Sequence, residues 1–303
     1  MKGKNFCVLI LAAGKGTRMK SDLAKVLHVL NGKPLLHYSL ATAKSAGAEK
    51  IVVIIGHQAD KIRDDFSGSG CLFVEQKPQL GTGHAVLQAK DLLADYKGLT
   101  VILCGDVPLL KAATIKSLVD NHLAAKAVVS LLTTIPPSSH GYGRIVKDDK
   151  GNVLKIVEER DATQSEKKIG EINTGIYCVD TKFLFSALEK IDNNNQQREY
   201  YLTDIVEIAC RECVTVKAFI ADDYVEVMGS TLWKNSPALK NIFLHDGHNS
   251  KSCKKWSLSC AAGGHFQSAF PIDSAFHGLF AGLHRDDQRQ RSCPQDCQNL
   301  RVS

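Results

Sequence analysis

The chain has 303 residues, 44% of them apolar and 23% charged, the proportions of an ordinary globular protein of about two domains. That excludes a disordered chain, a collagen-like repeat and a small disulfide scaffold. Thirty-eight basic against 32 acidic side chains leave a net +6; a nucleic-acid binder concentrates far more positive charge on one face, and phosphorylated small molecules suit this balance.

In chain order, Phe6–Leu11 reads as a continuous apolar strand of the kind buried on both faces of a parallel sheet. Lys2 and Lys4 before it give only a superficial likeness to a leader, because no clean small-x-small cleavage site follows. Leu35–Ala46 is expected as a helix with Pro34 in its first turn, then come strand Ile51–Ile55 and helix Gln58–Phe66. Strand Cys71–Glu75, helix Gly83–Tyr96, strand Thr100–Leu103, helix Thr114–Ala125 and strand Val128–Thr133 keep the alternation going. That rhythm predicts a doubly wound α/β domain, a mostly parallel sheet with helices on both faces. After Pro136-Pro137 shorter β segments follow at Arg144–Val146, Val153–Val157 and Gly175–Val179. Helices Lys182–Ile191 and Leu202–Cys213 and strand Val214–Phe219 complete the pattern.

The chain changes character near Gly229. Residues 1–229 carry 29 basic and 27 acidic side chains, whereas 230–303 carry 9 and 5, with both Trp, five of the 11 His and no Glu. That second segment shows no period of two or 3.6, and we divide the chain into 1–229 and an unassigned tail, 230–303. No apolar run reaches the ~18 residues of a membrane span. The six Cys before residue 230 sit mostly inside apolar runs, where Cys behaves as a small hydrophobe. A cytoplasmic chain with reduced thiols is expected, with neither nucleic acid nor membrane as partner.

Two stretches bear on chemistry. The first strand runs into Ala12-Ala13-Gly14-Lys15-Gly16-Thr17-Arg18-Met19, a Gly-rich turn of the kind that offers backbone N–H groups to an anion. It is neither a dinucleotide fingerprint, which would need Gly at Met19, nor a P-loop; taken alone, a plain turn explains it as well. The strand Thr100–Leu103 ends in Cys104-Gly105-Asp106, and an Asp at the carboxyl end of a central strand faces the crevice where α/β sheets bind ligands. A hard carboxylate there suits Mg²⁺; an Asp opening a turn before Pro108 is the alternative. Cys210-x-x-Cys213 lacks a second pair at zinc spacing and reads as core packing.

Leu11–Met19 followed by Lys25-Val26-Leu27-His28 resembles the signature of sugar-1-phosphate nucleotidylyltransferases. Four further stretches, Gln76–Ala85, Gly141–Ile145, Glu171–Ile176 and Glu199–Asp204, are similar to the N-terminal domain of bacterial bifunctional N-acetylglucosamine-1-phosphate uridylyltransferase/glucosamine-1-phosphate acetyltransferases. The resemblance covers residues 5–229. It implies transfer of UMP from UTP to N-acetylglucosamine 1-phosphate with release of pyrophosphate, a step in making cell-envelope precursors. Carried over, Leu11, Ala12, Ala13, Gly14 and Gly16 would wrap the nucleotide, and Arg18 and Lys25 would stabilise charge at the reacting phosphorus. Gln76, Gly81 and Thr82 would recognise uracil, Cys104 and Gly105 would line the site, Asp106 would bind Mg²⁺, and Gly143, Glu158 and Asn173 would hold the amino sugar.

Two departures stand out. Ala24 replaces the family's usual Pro before Lys25, which removes a φ constraint. Thr231 stands where the family has Asn, the second protein ligand of Mg²⁺, and could replace it only weakly. The β-helix that carries acetyl transfer and trimer formation has no counterpart in 230–303, so no acetyltransferase activity and a monomer or weak oligomer are expected. Two readings of the tail stand: a genuine short appended domain, or a shifted frame, since bases encoding Ser230–Lys234 can, in another phase, encode apolar-Asn-Thr-Leu-Glu. The coding DNA tests the latter, and a frame with no family-like alternative removes it.

Overall fold

A computed structural model describes residues 5–16 and 21–229. Arg18, Thr231 and the whole 230–303 segment lie outside the described residues, and so does the division expected at Gly229. Strand β1 (Phe6–Ala12) is followed by a 3-10 turn at Lys25–Leu27 and a short hairpin, β2 (Val29–Leu30) and β3 (Lys33–Pro34). Then come α1 (Leu35–Ala46), β4 (Lys50–Ile55), α2 (Ala59–Asp65), β5 (Leu72–Glu75), α3 (Thr82–Leu87), β6 (Leu99–Cys104) and α4 (Ala112–Ala124). The second half runs β7 (Val129–Thr134), β8 (Arg144–Lys147), β9 (Val153–Val157), β10 (Ile172–Asp180), α5 (Thr181–Leu188), α6 (Asp204–Arg211), β11 (Val216–Ile220) and α7 (Tyr224–Val227).

The main sheet has the order β11-β7-β10-β6-β1-β4-β5, with β8 and β9 branching beside β10. β1 pairs in parallel with β4 and β6, as do β4 with β5 and β11 with β7. β10 runs antiparallel to both β6 and β7, so the sheet is mostly parallel but mixed. From β1 the chain winds outward through β4 to β5, then returns to place β6 on β1's other side. That reversal opens a crevice at the carboxyl ends of β1 and β6, where Leu11 lies opposite Cys104.

Alternation along β1 explains why its apolar run is unbroken. Val8, Ile10 and Ala12 join a core with Leu36, Leu40 and Ala43 of α1, Ile62 of α2 and Ile115 and Leu118 of α4. Cys7 and Leu9 face a second core with Val86 of α3, Leu184 of α5 and Ile205 of α6. Both faces are therefore covered, as the continuous pattern requires.

The expected helix Gly83–Tyr96 is the main correction: it ends at Leu87 and continues through a 3-10 turn at Asp91–Leu93. Successive amides there bond three residues back, Ala89 to Val86, Lys90 to Leu87, Leu93 to Lys90 and Tyr96 to Leu93. Ala89 and Leu93 stay buried, and the apolar spacing that signalled a helix records this burial without distinguishing the tighter winding. Helix α2 starts one residue later than expected because Gln58 is left-handed, with φ 55°. Strand β11 is displaced to Val216–Ile220, because Thr215 O first accepts from the Val128 and Val129 N–H groups. Hairpin β2–β3 and helix α7 had no periodic signal. Cys210 and Cys213 are free thiols; Cys210 Sγ donates to Val153 O at 3.1 Å, the packing role expected, whereas Cys213, past the end of α6, is exposed and does not take it. No described helix is long and apolar enough to cross a membrane.

Candidate functional site

The carboxyl end of β1 is stitched into its surroundings through the backbone. Leu11 O accepts from Gly105 N–H at 2.9 Å and Ala13 O from His57 N–H at 3.1 Å, while Gln79 Nε2 also donates to Ala13 O at 2.6 Å. Gly16 has φ +66°, and a Cβ there would sit 2.7 Å from Lys25 Cβ. Only glycine satisfies both conditions, and the close approach brings the loop over Lys25. The 3-10 turn at Lys25–Leu27 then directs the Lys25 ammonium onto Asp106 Oδ2, just past the end of β6. Leu11, Ala12, Ala13, Gly14, Gly16, Lys25, Cys104, Gly105 and Asp106 thus meet at one edge of the sheet.

Ala24 sits at φ −53°, a value Pro would adopt, but its N–H donates to Gln58 Oε1 at 2.9 Å. Proline has no such donor. The expected loss of rigidity is therefore offset by a tie between this loop and the start of α2.

A second backbone return completes the edge. A Cβ on Gly229 would come within 2.9 Å of Asp106 Oδ2, so the segment after α7 reaches the carboxylate. Glu226, buried at 7% exposure, fixes that segment. Its carboxylate accepts from the Lys111 N–H at 2.8 Å, from Lys111 Nζ at 3.0 Å and from the Thr114 hydroxyl. These donors lie at the N-terminus of α4, where negative charge is favoured. Among the described residues no group of three or more His, Cys, Asp or Glu could hold a metal ion. Asp106, a single carboxylate paired with Lys25 and bordered by the Gly229 backbone, is the hard ligand type that suits a cation whose other ligands are water and phosphate oxygens.

Beyond β5, Gln76 is 5% exposed, and its Nε2 lies 2.8 Å from Gly81 O and 3.1 Å from His84 Nδ1. Gly81 takes φ +114°, and a Cβ there would meet Tyr200 O at 2.5 Å, so the loop closes onto the 199–202 segment only through glycine. Thr82 Oγ1 accepts from Leu202 N–H at 3.0 Å, which commits that lone pair to the same junction.

The third group gathers on β8–β10. Asn173 N–H donates to Gly143 O at 2.9 Å, and a Cβ on Gly143 would stand 3.5 Å from both Glu158 carboxylate oxygens. Asn173 Nδ2 donates to the Tyr177 hydroxyl at 2.8 Å, and Asn173 Oδ1 accepts from Gly175 N–H at 3.1 Å. The Thr203 hydroxyl donates to Glu158 Oε1 at 3.3 Å. Cys104 Sγ, 3.8 Å from Gly175 O, bridges this cluster to the end of β6. Burial, reinforced by the Asp106 carboxylate, pushes the Cys104 thiol up to about 12, which excludes it as a thiolate nucleophile at neutral pH. Burial also holds the Tyr177 hydroxyl far above its usual range. Asp204, at the start of α6, is raised to about 6, first by burial and then by Asp192, Glu207, Glu158 and Asp161.

Every expected site residue that is described falls in one of these three adjoining groups. Roles for Gln79, His84, Tyr177, Thr203 and Glu226 are additions. Gln79, His84 and Thr203 lie inside the stretches Gln76–Ala85 and Glu199–Asp204; the role of Glu226 has no local signal, because its partners are more than 110 residues away.

Comparison with known proteins gives consistent results. A family model described as nucleotidyl transferase matches residues 7–256. A bifunctional protein GlmU from Geotalea uraniireducens is 50% identical over 226 residues, covering 74% of this chain and 50% of that protein. The bifunctional protein GlmU of Desulfotalea psychrophila is 46% identical over 230 residues, covering 76% of this chain and 68% of that protein. The chain thus spans between about half and two thirds of the length of such relatives. A crystal structure of UDP-glucose pyrophosphorylase complexed with UDP-glucose aligns with TM-score 0.59 at 18% identity, over 74% of this chain and 94% of that one, a likeness of fold.

Proposed function

This chain belongs to the nucleotidyl transferase family, and on that premise we propose that it transfers UMP from UTP to N-acetylglucosamine 1-phosphate, giving UDP-N-acetylglucosamine and pyrophosphate. The observation that supports this most is the Lys25–Asp106 pair at the mouth of the Gly-rich loop, bridged through Cys104 to the Gly143, Glu158 and Asn173 cluster. A nucleotide site and a sugar site joined in this way would suit two phosphorylated substrates bound end to end.

In the proposed reaction a phosphate oxygen of the sugar phosphate bonds to the α-phosphorus of UTP. The bond from that phosphorus to the β-phosphate bridging oxygen breaks, and its electron pair leaves on pyrophosphate. The attacking oxygen is already anionic, so no general base is required; catalysis comes from positioning and charge stabilisation. The Gly14–Gly16 backbone approaches the triphosphate closely, and Lys25 supplies a cation beside the reacting phosphorus. Gln76, Gly81 and Thr82 orient the uracil. Glu158 accepts from, and Asn173 donates to, hydroxyl and acetamido groups of the sugar, both side chains already held by Thr203 and Tyr177. Mg²⁺, which Asp106 would hold, supplies neutralisation of phosphate charge when bound. Arg18, as a second cation, and Thr231, as a weak second metal ligand, rest on the family resemblance.

Pyrophosphate release with UTP and, in turn, N-acetylglucosamine 1-phosphate, glucose 1-phosphate and galactose 1-phosphate tests the reading. A preference for the acetamido sugar is expected. A preference for another sugar replaces the substrate, and UTP binding without release from any of them makes the chain a nucleotide-binding protein that has lost its chemistry.

A further inference from the structure

We propose that His84 is a positioning residue that locks the Gln76 amide with its NH₂ turned into the protein and its oxygen presented to the base, so that the site selects a pyrimidine with a protonated ring nitrogen and rejects one whose ring nitrogen is bare. The inference rests on the uridylyl-transfer reading and adds to it the source of base selection.

The orientation follows from which partners can only accept. A carboxamide seen by shape alone fits either way round. Gly81 O, 2.8 Å from one end of the Gln76 amide, has no proton to give, so that end is the NH₂. Its second proton points at His84 Nδ1, 3.1 Å away, which must then carry a lone pair, leaving the imidazole proton on Nε2. Burial lowers the imidazolium's stability further, in keeping with a neutral ring. The ring is seated against Tyr200, centroids 6.4 Å apart, on the segment that closes over Gly81.

Gln88 makes a competing demand. Its Nε2 donates to His84 O at 3.0 Å and touches His84 Nε2 at 3.2 Å. Gln88 is partly exposed and can turn to water at little cost, whereas Gln76 is 5% exposed and would leave a buried N–H unmatched. The Gln76 requirement therefore decides the tautomer.

With both protons committed, Gln76 Oε1 has no hydrogen-bond partner among the described residues and is not an enclosed atom. It is a fixed acceptor on a rigid side chain. Gln76 N–H is itself tied to Ile55 O at 2.8 Å, at the same sheet edge where Gln79 holds Ala13 O. An acceptor there matches the ring N–H of uracil and repels the bare ring nitrogen of cytosine. Without His84 the amide loses one of its two locks, and its flipped form, which would favour cytosine, becomes accessible.

The test is titration calorimetry of UTP and CTP against the full chain, unaltered and as His84→Phe and His84→Asn. His84→Phe keeps a ring against Tyr200 but no acceptor; His84→Asn restores an acceptor near the Nδ1 position. The preference for UTP over CTP should fall about tenfold in His84→Phe and recover in His84→Asn. Should His84→Phe not fold, His84→Ala is read by the same ratio. Equal weakening of both nucleotides, an unchanged ratio, or no preference in the unaltered chain overturns the inference. Pyrophosphate release is scored separately: its absence beside a ratio that moves as expected defeats the uridylyl-transfer reading and leaves the His84 assignment standing.

Discussion

The two halves of the crevice are built by different means. The edge formed by β1, the Gly14–Gly16 loop and β6 is mostly backbone: paired strand ends, glycines and one cation on one carboxylate. The edge formed by β8–β10 is mostly side chain: Asn173 on Tyr177, Thr203 on Glu158, and Glu159 accepting from the Gly141 N–H and the buried Arg144. A phosphate is bulky, symmetric and highly charged, so amides and a cation at close range suffice to hold it. A sugar must be distinguished hydroxyl by hydroxyl, which takes directional donors and acceptors that are themselves held. Damage to the first edge should therefore appear mainly in turnover, and damage to the second mainly in substrate affinity.

Asp106→Ala should give the largest effect. It removes the proposed metal ligand and releases the Lys25 ammonium, and pyrophosphate release should fall by about two to three orders of magnitude, the usual cost of deleting one charge-stabilising group. UTP-dependent turnover that survives the change would break the assignment of this edge to the chemistry. Next comes Glu226→Ala, which touches no substrate. It strands the Lys111 N–H and the Thr114 hydroxyl, while the half-exposed Lys111 ammonium turns to water, so thermal unfolding should show a loss of about 1–2 kcal/mol. Because Glu226 also fixes the segment that reaches Asp106, roughly tenfold more Mg²⁺ should be needed for half-maximal rate. A loss of stability with unchanged Mg²⁺ dependence would reduce Glu226 to a helix cap.

Asn173→Ala sharpens the contrast from the other side. The KM for the sugar phosphate should rise about tenfold, the effect of one or two lost hydrogen bonds, while the KM for UTP stays within about twofold. Equal changes in both constants would mean that the two edges act as one unit.

The same contrast explains what was legible in the sequence. The parallel half could be read because strand burial on both faces leaves unbroken apolar runs such as Phe6–Leu11 and Ile51–Ile55, and because glycines at tight approaches stand out in the chain. The Gly-rich loop and Asp106 could be read from their places at strand ends, whereas the groups around Gln76 and Asn173 came from motif resemblance, and the fold brings the described members of each together. Legibility failed where partners are remote. Nothing local marks Glu226 as the anchor of α4, or Gln58 as the partner of the Ala24 N–H. Nor does the Gly83–Tyr96 periodicity show that winding changes at Leu87, since buried spacing persists through it. Even Thr203, inside a quoted stretch, gains meaning only from Glu158, which lies 45 residues earlier in sequence.

The smallest expected effect concerns Asp204, which lies beside the edge formed by β8–β10 without belonging to it. It occupies the first turn of α6, where the helix dipole favours its charge, yet burial and four nearby carboxylates raise it to about 6. A carboxyl group raised in the folded state stabilises the fold while protonated, fully below its ordinary value near 3.8, and that contribution is lost as pH climbs through about 6. Asp204→Asn holds the group in its uncharged form at every pH. At pH 7.5 the variant should melt a few degrees above the unaltered chain, whereas at pH 4 the two should nearly coincide. An equal shift at both pH values would assign the gain to packing or capping instead of charge. A variant less stable at pH 7.5 would show that the dipole of α6 outweighs the crowding by Glu158, Asp161, Asp192 and Glu207, and the carboxylates bordering this edge would then be in balance.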